Sequence, residues 1–195
     1  MNSYSRIAFA WSLFLVLTAC SGWAQMGVPL NHTDPKLEEV QVRELVAQYC
    51  RMDYSGGRLS PAAWGKVQPL VAWPTNPDYS LFMVTSRFDV DNDLGYDHGK
   101  YVALVHYRLL GKYDLAEGYS QDARNQIENV RFVVSEVNGE WRISEIDPAY
   151  PHPSKMASAQ WVSQKLAQAT DAMHKTIYQQ ALEKLQAPKA QPPAE

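Results

Sequence analysis

The spacing of apolar residues changes from a helical period to a strand period near residue 80. Asp34 and Pro35 supply a helix-capping acid and a proline suited to the first helical position. An apolar stripe then runs to about residue 54, where 55–57, Ser-Gly-Gly, end it. The stripe consists of Leu37, Val40, Leu45, Val46, Tyr49 and Met52. A second start signal, in "SPAAWGKVQP" at residues 60–69, predicts a shorter helix.

The middle of the chain alternates apolar and polar positions, which predicts strands. Residues 81–90 form the first, and "KYVALVHYRLL" at 100–110 forms the second, with Gly111 suggesting a bulge or bend. The segment "NVRFVVSEVNGEWRISEID", residues 129–147, contains Asn-Gly at 138–139, the preferred dipeptide of a two-residue hairpin turn. It therefore predicts two antiparallel strands.

The C-terminal part returns to a helical period. One long amphipathic helix is predicted over residues 155–187, and Pro188 ends it before a disordered tail at 188–195. Its second half could pair with another copy or a partner helix, or it could be a frayed extension. The apolar stripe is Val162, Leu166, Ala169, Met173, Ile177 and Leu182.

Helices followed by consecutive antiparallel strands predict an α+β domain over residues 35–154, with the N-terminal helices packed on one face of a curved sheet. The segments "KYVALVHYRLLG" and "VRFVVSEVNGEWRISEI" resemble the nuclear transport factor 2-like superfamily, over about residues 36–161. This resemblance implies a cone-shaped domain that encloses a pocket, with a sheet that often forms a homodimer interface. The superfamily contains isomerases, dehydratases, transport factors and immunity proteins, so the fold does not select an activity.

The N-terminus has the pattern of a bacterial export signal, predicted over residues 1–24. One arginine precedes a short apolar run, which is too short for a membrane-spanning helix. Leu-Thr-Ala-Cys at 17–20 resembles a lipobox, which makes Cys20 a lipidation candidate. Gly-Trp-Ala at 22–24 equally fits ordinary cleavage before Gln25. We expect either a periplasmic protein or an outer-membrane lipoprotein held by its lipid anchor alone, with an extended segment at 25–34.

Composition narrows the class of protein. The 195 residues are 46% hydrophobic and 20% charged, as in a folded soluble domain, and their formal net charge is −3. Lysine and arginine form no cluster, which argues against nucleic-acid binding. Cys20 and Cys50 are the two cysteines, so a mature chain with Cys20 lipidated or removed has no internal disulfide. Cys50 is then expected to be a buried, inert thiol.

The stretch "FDVDNDLGYDHGK", residues 88–100, resembles a calcium-binding loop because it contains Asp89, Asp91, Asp93 and Asp97. A calcium-binding EF-hand needs glycine at position 6 and glutamate at position 12, where this chain has Leu94 and Lys100. A solvated hairpin loop is the favoured interpretation, with weak cation binding as the alternative. The five histidines are scattered without ligand spacing, so we expect no metal site and no cofactor.

The hairpin at 138–139 allows its register to be predicted. A regular ladder pairs Phe132 with Glu145 and turns a largely apolar face, which includes Trp141, toward the core. Glu145 would then be either a pocket carboxylate or a rim carboxylate that is hydrated or paired with an arginine. The preceding strand presents His106 and Arg108 on one face, a possible base and anion clamp, although that face could equally be external.

In several catalytic members of the superfamily the first helix contributes a polar pocket residue, and the resemblance makes Tyr49 and Asp53 the nearest candidates. The favoured function is a noncatalytic exported envelope protein that binds a small apolar ligand or a protein partner. The alternative is a pocket enzyme of isomerase or dehydratase type with Glu145 or His106 as the acid or base. The enzyme requires one of these groups to line a closed pocket beside a second polar group.

Overall fold

The computed structural model describes residues 34–121 and 126–187 and confirms the α+β class. Helix α1 (Pro35–Tyr54) and helix α2 (Pro61–Val67) precede a short 3-10 turn at Gln68–Leu70, and all the strands follow. The strands are β1 (Leu81–Val90), β2 (Gly95–Asp97), β3 (Lys100–Asp114), β4 (Gly118–Gln121), β5 (Ile127–Val137) and β6 (Glu140–Asp147). Two C-terminal helices, α3 (Lys155–Gln168) and α4 (Ala172–Gln186), complete the described chain.

Helix α1 begins where the capping signal predicts. The Asp34 side chain accepts a hydrogen bond from the backbone N–H of Lys36, which satisfies one of the unpaired donors of the first turn. Its buried face consists of Val42, Leu45, Val46, Tyr49, Cys50 and Asp53. This face places Tyr49 and Asp53 against the sheet.

The sheet is antiparallel in the order β1-β3-β5-β6, with β2 and β4 also paired to β3. Strand β3 is therefore the central strand: β2 and β1 follow one another along one of its edges, and β5 and β4 along the other. Alternate side chains of β3 are buried: Tyr101, Ala103, Val105, Tyr107 and Leu109 lie in the main core, and Tyr113 is buried nearer the end of the strand. The sequence did not indicate which face of β3 points toward the core. The burial pattern shows that the face with Tyr101 does, and that the face with His106 and Arg108 does not.

The short strands β2 and β4 were not predicted. Strand β2 lies within the acidic loop, and residues 98–99 form the turn into β3, both with positive φ. Strand β4 lies beside Gly111, where a Cβ would stand 2.3 Å from the backbone oxygen of Ser120. The register with β1 shifts next to Gly111, as expected for a bulge, but β3 continues to Asp114. Glycine permits this close approach of β4.

The predicted register of the last hairpin is correct near its turn and wrong beyond it. Glu136 pairs with Trp141 as expected, but the register shifts between Val133 and Val134, and Phe132 pairs with Ile146 instead of Glu145. The extra residue of this bulge reverses which side chains face inward. Ile146 is consequently buried and Glu145 is exposed, so the expectation that Glu145 faces inward is wrong.

The single helix predicted over residues 155–187 is also wrong, because two helices occupy this range. Ala169 adopts an extended conformation, and Asp171 caps α4 by accepting a hydrogen bond from the backbone N–H of His174. The apolar period continued across this break and concealed the capping signal. Helix α4 packs against α3 and β4, where Ala181 and Leu185 join a second buried cluster with Tyr119.

The predicted export signal, lipidation candidate Cys20 and C-terminal tail at 188–195 lie outside the described residues, as does nearly all of the segment at 25–34. Of the helices that the structure describes, none has the length and apolar character needed to cross a membrane.

Candidate functional site

The main candidate site is built around a buried group of polar side chains, which we call the polar cluster: Tyr49, Asp53, Arg58, Glu128 and His152. Asp53 is 1% exposed, and Arg58 and His152 are each 2% exposed. Ionisable side chains are rarely this buried unless they are paired. The cluster joins the end of α1, the loop after it, β5 and the segment between β6 and α3.

Arg58 connects four parts of the chain through its guanidinium. Its Nη1 donates to the Tyr49 hydroxyl at 3.2 Å and to the Ala149 carbonyl at 2.7 Å, while its Nε donates to Asn76 Oδ1 at 3.2 Å. Its Nη2 is buried and has no hydrogen-bond partner among the residues that the structure describes. The planar arginine fork thus has one donor group to spare.

His152 links the two carboxylates of the cluster. Its backbone N–H donates to Asp53 Oδ2 at 2.8 Å, and its Nε2 lies 2.9 Å from Glu128 Oε2. The Tyr150 hydroxyl donates to the other oxygen of Glu128. The ring of Tyr107 stacks on His152 with 4.1 Å between ring centroids. These contacts hold the imidazole at its Nε2 and on one face of the ring.

Burial affects the two carboxyls of the cluster differently. Burial raises the pKa of Asp53, and the charges of Arg58 and His152 oppose this shift without cancelling it. Burial also acts to raise the pKa of Glu128, but hydrogen bonds from His152 and Tyr150 outweigh it and hold that pKa below its usual value.

The Cys50 thiol accepts a hydrogen bond from the Tyr107 hydroxyl at 3.1 Å. Burial raises the pKa of this thiol, which disfavours the reactive thiolate and fits the inert role expected for it.

A surface groove of about 510 Å³ lies beside Arg58, between α2, the loop at residues 74–79 and α3. Six of its thirteen lining residues are aromatic or proline: Pro61, Trp64, Pro74, Pro77, Tyr79 and Trp161. Lys165 lies at its edge, 5.4 Å above the Trp161 ring, and Asp78 is exposed on the opposite loop. Apolar walls with a few polar groups are typical of ligand sites.

A smaller cavity of about 220 Å³ shares Arg58 and Pro77 with the groove. Trp73, Ile146 and Ala149 also line it, and Glu145 stands at its rim. The indole Nε1 of Trp73 is buried and has no hydrogen-bond partner within residues 34–121 and 126–187. Arg58 and Trp73 both line this cavity, and each carries a buried N–H group without a partner among the described residues.

The other predicted site residues lie apart from the polar cluster. His106 and Arg108 are on the opposite side of β3 from its buried side chains; His106 Nδ1 is 2.7 Å from Asn129 Oδ1. Trp141 belongs to the main core, where its ring meets the edge of Tyr101 at 5.3 Å. Glu145 pairs with Arg131 at 3.0 Å, as the rim interpretation describes.

Two aspartates of the acidic loop interact with residues next to them in the sequence. Asp91 accepts from the Asn92 backbone N–H at 2.9 Å, and Asp97 pairs with the neighbouring His98. Within residues 34–121 and 126–187, no group of three or more His, Cys, Asp or Glu side chains is placed to hold a metal ion.

No family model, curated protein or solved structure matches this chain. The likeness to the nuclear transport factor 2-like superfamily therefore stays a prediction from the sequence.

Arg58, Trp73 and His152 were not among the residues predicted from the sequence. Arg58 and Trp73 lie in irregular segments, "GGRLS" and "VAWPTNP", where no period marks a side chain as buried. His152 lies in "PAYPHPS", whose three prolines within six residues signalled a rigid connection and could have drawn attention to it.

The depressed pKa of Glu128 predicts how stability depends on pH. Near and below its ordinary pKa of 4.5, the folded state binds fewer protons at Glu128 than the unfolded state, so stability rises with pH there and falls on acidification. We expect Glu128→Gln to remove this part of the acid sensitivity. Urea unfolding of both proteins between pH 3 and pH 7, spanning the ordinary carboxyl pKa, measures it. A variant with the same acid loss as the parent would contradict the assignment.

Proposed function

We propose that this chain is an exported, noncatalytic protein of the bacterial cell envelope that binds a small, largely apolar ligand. The ligand site is the groove together with the smaller cavity. The observation that carries the proposal is Arg58, which is buried, borders both depressions and has an Nη2 without a partner in the described part of the chain. A mostly apolar site with one well-placed polar group is how proteins orient small ligands.

The aromatic side chains of the groove support this function over a purely structural role for the region. The indole and phenol rings of Trp64, Tyr79 and Trp161 present contact area at an open surface. Rigid aromatic groups give much contact area at low entropic cost. The N-terminal pattern of the sequence predicts export, which agrees with an envelope binding protein.

The enzyme alternative has no observation in its favour at the residues it requires. His106 is on the outer side of β3, hydrogen-bonded to Asn129, and Glu145 is paired with Arg131 at the rim of an open depression. Neither lies in a closed pocket beside a converging polar group. We therefore assign no catalytic role to them.

Blocking the groove tests the proposal with a neutral apolar probe. Thr75 is exposed on the groove wall, so Thr75→Arg should fill the site without disturbing the core. We expect the fluorescence of Nile red to report binding to the parent protein, with an affinity about tenfold lower or worse in Thr75→Arg, or about 1.4 kcal/mol.

The matched control is Thr176→Arg, the same change at an exposed position of α4 outside the groove. This control should bind the dye like the parent. Equal binding by all three proteins would place the dye elsewhere and contradict the proposed site, and absence of binding would contradict the function.

A further inference from the structure

The described part of the chain ends close to the groove. At the end of α4, the Ala187 carbonyl receives a hydrogen bond from Lys155 Nζ at 2.8 Å, and Lys155 is the first residue of α3. Trp161, which lies in the same helix, lines the groove. A lysine side chain extends about 6 Å, and helical residues six positions apart are separated by about 10 Å, so the Ala187 oxygen lies at most about 19 Å from Trp161 Cα.

The sequence continues past Ala187 with "PKAQPPAE" at residues 188–195, which we call the tail. Proline-rich segments have no core of their own, but they favour the extended polyproline II conformation. Ala187, with φ −54° and ψ 134°, is already near that conformation. Because polyproline II rises by about 3.1 Å per residue, the tail can span about 25 Å, which is enough to reach Trp161 and enter the groove.

A depression of about 140 Å³ connects the start of α3 with the groove. Ala157, in the first turn of α3, lines this depression, and Leu59 and Trp161 line both the depression and the groove. A segment that follows the depression therefore runs along α3 toward Lys165, at the edge of the groove.

The groove has the chemistry that binds such a segment. Aromatic-lined grooves recognise polyproline II segments, which are already extended and lose little conformational entropy on binding. Trp64, Tyr79 and Trp161 supply the rings here. Pro192 and Pro193 of the tail supply the apolar surface that packs on such rings.

The charges of the groove favour one direction for the tail. The Lys165 ammonium lies 5.4 Å from the Trp161 ring centroid and makes no ion pair within residues 34–121 and 126–187. Glu195, eight positions past Ala187, is the one acid of the tail. Lys165 lies about 15 Å along the α3 axis from Lys155, so the far part of the tail is the part that reaches it. Asp78 on the opposite wall repels Glu195 and favours the same placement.

We propose that the tail binds the groove of its own chain as a polyproline II segment. Pro192 and Pro193 pack on the rings of Trp64 and Trp161, and the Glu195 carboxylate pairs with Lys165. This inference goes beyond the proposed function, because it gives the groove an occupant from the same chain. An external ligand then binds by displacing the tail.

Two-dimensional ¹⁵N NMR of the tryptophan indole N–H groups tests the contact in the full-length chain. The Trp161 signal is assigned by its loss in Trp161→Phe. We expect Glu195→Lys, and separately Pro192→Gly combined with Pro193→Gly, to move the Trp161 signal. Glu183→Lys is the matched control, since it makes the same charge change on an exposed residue of α4 outside the groove, and it should leave the signal in place.

Exchanging the two charges tests the ion pair. Glu195→Lys should raise the affinity for Nile red about two- to fivefold, because the freed groove no longer contains a competing segment. In a Lys165→Glu background the same substitution should lower the affinity, since opposite charges meet again. A Glu195→Lys effect of the same sign in both backgrounds would overturn the assigned pair.

The remaining outcomes separate this inference from the proposed function. If none of the tail variants moves the Trp161 signal, the tail inference is overturned and the Thr75→Arg test of ligand binding is unaffected. Signal changes that depend on protein concentration would place the tail of a second copy in the groove and also overturn it. A Trp161 signal that moves in a protein without dye binding would support the tail and contradict the function.

Discussion

Replacing Arg58 by methionine should lower the free energy of unfolding by about 3–5 kcal/mol. The change leaves the buried Asp53 carboxylate without its main positive neighbour and removes the donors to Tyr49, Asn76 and Ala149. Removing one member of a buried, hydrogen-bonded charge group strands the other in a poorly solvated site. Urea unfolding at neutral pH measures the loss.

A double-mutant cycle separates this electrostatic effect from lost packing. In an Asp53→Asn background the carboxylate charge is gone, so Arg58→Met should cost substantially less there. Lys165→Met, which changes the other basic side chain of the groove, is the surface control and should alter stability by no more than about 0.5 kcal/mol. A loss below about 1 kcal/mol for Arg58→Met would refute the structural role of the cluster.

Replacing Gly111 by valine should cost about 3 kcal/mol or more, because its first side-chain carbon has no room. That Cβ would lie 2.3 Å from the Ser120 backbone oxygen and 2.7 Å from the Tyr119 ring. Strand β4 would have to separate from β3, and α4 packs directly on β4. Hydrogen exchange should therefore show lost protection in β4 and α4 together, with urea unfolding giving the energy.

Gly65→Ala is the control for this prediction, since a Cβ at that position of α2 meets nothing within 4 Å. It should be neutral or stabilising by up to about 1 kcal/mol, as expected where alanine replaces glycine inside a helix. Loss of protection confined to α1 and α2 in Gly111→Val would contradict the packing described for β4.

Local signals in the sequence were sufficient for much of the fold. Asp34 with Pro35 marked the start of α1, and Asn138 with Gly139 marked the β5–β6 turn, because these residues act through their own backbone neighbours. The side-chain pattern of β5 and β6 near that turn was also correct. The α+β class followed from the order of these elements.

The errors arose where distant contacts override local patterns. The bulge between Ile143 and Glu145, opposite Val133 and Val134, turned Glu145 outward, and no residue type in the strand signals it. Strand β4 forms because Gly111 admits it, and α4 separates from α3 because Asp171 caps a new helix that can pack back on β4. These features depend on tertiary packing, which the spacing of apolar residues along the chain does not reveal.

The candidate site was only partly accessible from the sequence for the same reason. Tyr49 and Asp53 were named because of a resemblance, and the structure brings them to Arg58 and His152. Arg58 joins residues 9, 18 and 91 positions away in the chain. A side chain in an irregular segment acquires its role only from such distant partners, so no local rule identifies it.

A crystal structure of the protein with Nile red bound tests the central claim most directly. The account predicts the dye in the groove, in contact with Trp64, Trp161 and Arg58. A ligand bound instead on the outer side of β3, beside His106 and Arg108, would contradict it.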